Sequence, residues 1–223
     1  MSASKKKGVD KNEQRAQIAQ IRAAQARADR RHKVLISLIV TGVVLALAVP
    51  TAIVIVNAQR DAEAVEQAAS KPIEGEKLVD VPSATHVTQD IPYETASAAP
   101  EGTLLPPTGG DHDPVLQNCG YYAEPVRTEN VVHSLEHGAV WVTYRPDLDD
   151  AQIATLRDLA EANPYLLVSP FEDLASDVVA TAWGVQVELD SANDERLKPF
   201  LERYLQGEQT PEPGASCQGG VGA

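Results

Sequence analysis

Two cysteines, one methionine and 4% aromatic residues leave this 223-residue chain without several kinds of chemistry. Two thiols cannot build a four-thiolate zinc site of the C-x-x-C…C-x-x-C kind, nor a miniprotein framed by disulfides. The one methionine is residue 1, so no thioether remains elsewhere for a copper(I) carrier. No segment reads G-x-x-x-x-G-K-[ST] or G-x-G-x-x-G, which leaves nucleotides without a phosphate cradle. Basic residues are scarce as well: 19 Lys and Arg stand against 32 Asp and Glu, for a net charge of −13. That balance argues against nucleic acid as a partner, because phosphate contact needs a stripe of Lys and Arg.

What is present is unevenly distributed. Residues 34–56 (VLISLIVTGVVLALAVPTAIVIV) form a run of 23 positions without a charge. As a helix this run extends about 34 Å, enough for a hydrocarbon core of about 30 Å. Residues 1–33 before it hold ten Lys and Arg and three Asp and Glu, whereas residues 57–223 hold nine and 29. Basic residues beside an apolar span stay cytoplasmic. The expected arrangement is therefore a single-pass plasma-membrane protein, N-terminus cytoplasmic and C-terminal domain extracytoplasmic, with the lipid bilayer as a partner through 34–56. The length of the run and of its leader favours an uncleaved anchor over a cleaved signal peptide.

Beyond the span, residues 57–70 can continue the helix as a stalk. Residues 71–114 contain seven Pro and keep no period, which reads as extended chain; 77–79 and 84–87 could form short edge strands. From residue 139 the rhythm is regular. Ala139–Tyr144 is a strand stopped by Pro146, and Asp147–Asp150 offer N-cap chemistry for a helix over about 149–162. Strands follow at 165–169, 178–183 and 185–189, then a helix opened by Ser191 and ended by Gly207. The expected fold class is α+β: a small antiparallel or mixed sheet with two packed helices, preceded by one transmembrane helix. The boundaries read as a basic cytoplasmic region 1–33, a transmembrane helix 34–56, a stalk or linker 57–77, an extracytoplasmic domain 78–206 and a flexible tail 207–223.

Chemistry concentrates in a short window. Four of the five histidines, His86, His112, His133 and His137, fall within it, while His32 belongs to the basic arm. In His133-Ser134-Leu135-Glu136-His137-Gly138, helical geometry puts the two imidazoles on one face about 6 Å apart, a spacing that seats one metal ion. On a strand they would lie about 13 Å apart. Gly138 suits the end of a helical turn. His112 is the best third ligand, with His86, Glu136 and Cys119 behind it. Glu136 precedes the second His instead of following the first, so the order is not the H-E-x-x-H of a zinc peptidase. Ser134 has no G-x-S-x-G elbow around it. Glu136 reads better as a partner that orients a neighbouring imidazole. Cys119 and Cys217, in an oxidising compartment, are expected to pair.

At Pro106–His112, Gly120–Tyr122 and His133–Gly138 the sequence resembles a family of bacterial single-pass membrane proteins classed only as a domain of unknown function. Its members share Pro-Pro-x-Ser-Gly-x-His, Gly-x-Tyr and His-Ser-Leu-Glu-His-Gly followed by a strand. His86, ahead of Tyr93, also falls on a family position, and the resemblance covers about 78–206. This chain departs at Gly109, where the family usually has Ser. The resemblance implies an anchored extracytoplasmic domain and brings no activity with it.

Two functional readings follow. In the first, the domain is no enzyme and its His cluster binds Cu(II) or Zn(II). In the second, it is a structural or accessory subunit of a cell-envelope complex, with a protein partner and a purely structural His network.

Overall fold

The computed structural model describes residues 11–93 and 105–222. The first ten residues of the basic arm and residues 94–104 of the Pro-rich stretch lie outside the described residues.

Helix α1 runs from Lys11 to Ala69 and contains the whole uncharged run, with Pro50 inside it. It is the one helix among the described residues long and apolar enough to cross a membrane. The chain divides into two compact units at residues 61 and 62. The last turns of α1 belong to the second unit, where Ala69 is buried and its carbonyl accepts from Arg203 Nη1 at 2.8 Å. A side-chain donor thus takes up a carbonyl that the helix end leaves free.

The second unit is a six-stranded mixed sheet with helices, as the pattern of alternating elements predicts. Its strands are β1 (Lys77–Leu78), β2 (Gly120–Tyr121), β3 (Val140–Tyr144), β4 (Leu166–Pro170), β5 (Val178–Ala182) and β6 (Val185–Leu189), in the spatial order β1-β6-β5-β3-β4-β2. β3 and β4 run parallel and are joined through helix α3 (Asp150–Ala162). The β5–β6 hairpin turns at Trp183-Gly184, and β5 lies antiparallel to β3. Asp149 caps α3 by accepting from the Ala151 N–H at 2.8 Å. A final helix, α4 (Leu197–Tyr204), starts six residues later than Ser191 predicts. The intervening residues are used by a turn, in which Asp194 N–H donates to the Ser191 carbonyl and Leu197 N–H to that of Asp194. Pro199 is tolerated in the first turn of α4 because its missing N–H has no helical partner to lose.

Alternation along the central strands sends side chains to two cores. Val140, Val142, Leu166, Val168, Val187 and Leu189 pack with Leu156 of α3 and Phe200 of α4 on one face. Trp141 and Leu167 point the other way, against Val131, Val132 and Leu135 of the short helix α2 (Thr128–Glu136) and against Cys119 and Cys217. This second face carries the histidines.

Composition suggests a flexible segment at 207–223, yet through residue 222 it is laid along the body. Glu212 N–H donates to the Glu136 carbonyl, Cys119 N–H to that of Cys217 and Val221 N–H to that of Leu116. Cys119 and Cys217 are disulfide-bonded with Cα atoms 5.5 Å apart, across a separation of 98 residues. A cross-link closing so long a loop contributes about 2–5 kcal/mol, enough to hold a segment with few apolar residues of its own.

Candidate functional site: a convergent histidine cluster

Helix α2 sets the geometry. Its apolar residues Val131, Val132 and Leu135 face the sheet, and the i, i+3, i+4 relation puts His133, Glu136 and His137 on another stripe. The helical form of the His133–His137 segment is therefore the one observed. His137 is its C-cap, donating its N–H to the His133 carbonyl, and Gly138 turns out at φ +93. Two extended strips cross this stripe. His86 and His112 lie side by side on them in a parallel bridge, with His112 N–H donating to the Thr85 carbonyl and Val87 N–H to that of His112. Arg127 ties the strips to the start of α2 through Asp113, at 2.6 Å, and Asp90, at 3.1 Å. At Gly109, φ +148, an added Cβ would come 3.0 Å from Val81 and 3.2 Å from Trp183. Crowding as well as backbone conformation therefore suits glycine where the resemblance expects Ser.

His86, His112, His133 and His137 meet. The ligand-capable nitrogens of His86, His112 and His133 lie within 4.8 Å of one another. His133 Nε2 and His137 Nε2 are 3.1 Å apart. The His86 ring stacks on His133 at 4.8 Å between centroids, and the Trp183 indole stands edge-on to His112.

Three of the four rings have a defined tautomer. Nδ1 of His112 donates to the Gly110 carbonyl at 2.8 Å, Nδ1 of His133 to that of Asp113 at 2.7 Å and Nδ1 of His137 to that of Ser216 at 2.7 Å. A carbonyl only accepts, so each Nδ1 holds a proton and Nε2 is the ring nitrogen turned inward. Glu136 adds a carboxylate oxygen at 3.0 Å from His112 Nε2 and 3.6 Å from His86 Nε2. His112 Nε2 and Glu136 Oε2 are both buried without a hydrogen-bond partner. Burial pushes the His133 pKa below the ordinary imidazole value, and His137, His112 and His86 act in the same direction against the Asp113 carbonyl. The cluster thus brings ring nitrogens and a carboxylate oxygen face to face. Buried acceptors without donors are costly, and a shared cation relieves that cost.

Glu136 places its oxygen beside Nε2 of His112 and His86, while main-chain carbonyls orient His112, His133 and His137 through Nδ1. Cys119 is taken up by the disulfide and offers no thiolate. The sequence reading missed Glu212, whose Oε2 lies 3.3 Å from His137 Nε2, and the Ser216 carbonyl. The expected Cys119–Cys217 pairing carried the signal for both, since it brings residues next to Cys217 against the segment that leads into α2.

The fold and site together define a disulfide-closed α+β domain with an inward-facing imidazole and carboxylate cluster. The chain belongs to the family described as a protein of unknown function (DUF3105), whose pattern matches residues 94–219, more than half of its length. Neither the curated proteins nor the solved structures include a match to it.

Proposed function

We propose that this protein is a membrane-anchored, extracytoplasmic metal-binding domain that takes a transition dication, Zn(II) or Cu(II), in its histidine cluster. The observation that carries the reading is the set of Nε2 atoms turned toward one another and toward Glu136 Oε2. Tetrahedral ligands about 2.0 Å from a zinc ion are separated by about 3.3 Å. The His133–His137, His112–Glu136 and His86–Glu136 separations of 3.1, 3.0 and 3.6 Å bracket that edge length. Imidazole and carboxylate without thiolate suit Zn(II) and Cu(II) over Cu(I). The main-chain carbonyls behind three rings are the kind of outer support that metal-bound histidines use. Helix 34–56 is the anchor in this reading, and the disulfide fits an oxidising compartment.

The full chain in detergent, loaded with Zn(II) or Cu(II) and dialysed, should retain stoichiometric metal and melt at a higher temperature than the metal-free protein. His133→Ala with His137→Ala should lower the metal retained while the disulfide and the circular dichroism of the sheet persist. No retained metal and an unchanged melting temperature would leave the second reading, a structural network in an envelope accessory subunit. In that case the double substitution lowers stability instead.

A further inference from the structure

The donors around the cluster outnumber what one four-coordinate ion uses. There are six: Nε2 of His86, His112, His133 and His137, and a carboxylate oxygen each from Glu136 and Glu212. Their close contacts divide them into two groups. Glu136 Oε2 stands 3.0 Å from His112 Nε2 and 3.6 Å from His86 Nε2. On the other side, His137 Nε2 stands 3.1 Å from His133 Nε2 and 3.3 Å from Glu212 Oε2. Each group is two imidazoles and one carboxylate, and each comes from different parts of the chain. The first joins the two extended strips to α2. The second joins α2 to the C-terminal segment.

We infer that the cluster holds two cations: one at His86, His112 and Glu136, and a second at His133, His137 and Glu212. This rests on the metal-binding reading above and extends it with a position of its own. The second group has the same electrostatic problem as the first. With both Nδ1 protons committed to the carbonyls of Asp113 and Ser216, the two Nε2 lone pairs point at each other across 3.1 Å. Either a proton or a metal ion must stand between them at that separation. Two carboxylates offset two charges of the four that two dications bring. The groups adjoin, since His86 of the first stacks on His133 of the second.

Each group has one half-exposed ligand: His86, 46% exposed, beside buried His112 and Glu136, and Glu212, 52% exposed, beside His137 at 11%. The exposed ligand of the second position is its carboxylate, which can be altered without disturbing the core.

The test is metal stoichiometry of the full chain in detergent, with Zn(II) as the probe, read by equilibrium dialysis and elemental analysis. The wild type should retain two equivalents. Glu212→Gln and, separately, His137→Ala should each retain one, with weakening of the second equivalent by at least tenfold. A wild type that retains a single equivalent overturns the second position alone, as does retention of two equivalents by both variants. A wild type that retains none overturns the metal-binding reading itself.

Discussion

At the scale of single residues, burial and hydrogen bonding decide which ionisable groups hold a proton. In His112, His133 and His137 main-chain carbonyls place a proton on Nδ1, which turns Nε2 toward the cluster. A different device operates before α4. Asp194 accepts from Arg196 at 2.7 and 2.9 Å and from its backbone N–H at 2.9 Å. The Arg196 side-chain hydrogen bonds, against a cost of burial and with help from the backbone donors, lower the Asp194 pKa from 3.8 to about 2. A carboxylate depressed in the folded state stabilises it above the unfolded value and ceases to do so as pH falls through the folded one. The contribution is about 2 kcal/mol, present above pH 4 and lost toward pH 2. Thermal melts of the wild type and Asp194→Asn between pH 7 and pH 2 should converge at the acid end. Parallel curves over that window would refute the assignment.

Elements are joined by short connections that leave little room. Between α2 and β3 the chain has only His137, Gly138 and Ala139 in which to reverse from the imidazole stripe into the sheet. Gly138 sits at φ +93, and an added Cβ would lie 3.0 Å from both Gln206 Cα and Thr210 Oγ1. Gly138→Ala is expected to cost about 1–3 kcal/mol, from the left-handed backbone and from displacement of the segment after α4. Chemical denaturation measures this directly, and a shift below a few tenths of a kcal/mol would show that the turn relaxes freely. The same connection explains how the histidine pair could be read from the sequence. Glycine at the end of an i, i+4 pair favours a helical turn, although Val131 and Val132 by propensity favour a strand. Those two valines are buried against Trp141 and Leu167, and packing overrode propensity.

Over the whole molecule the charge asymmetry has a spatial meaning. The basic arm precedes the apolar run and the acidic domain follows it, so the proposed topology puts the domain, its disulfide and its histidine cluster on the extracytoplasmic side. Protease added to spheroplasts should digest the domain, while inside-out vesicles should protect it. The reverse pattern would overturn the topology and with it the access of the site to extracellular metal. An acidic exterior also raises the local concentration of divalent cations around the site.

Local chemistry written in the chain determined the uncharged run, the central strands, the capped helix α3, the α+β class and the four histidines, because spacing, propensity and charge act between near neighbours. What the fold alone decided is how distant segments converge. His86 and His112 approach α2 from a stretch without periodicity, and Glu212 with the Ser216 carbonyl arrives from a tail whose composition argues for disorder. The long-range disulfide and backbone bonds to α2 and to the segment before it hold that tail in place. Such contacts depend on loop closure and shared burial between residues far apart in the chain, and no short sequence window contains both sides of them.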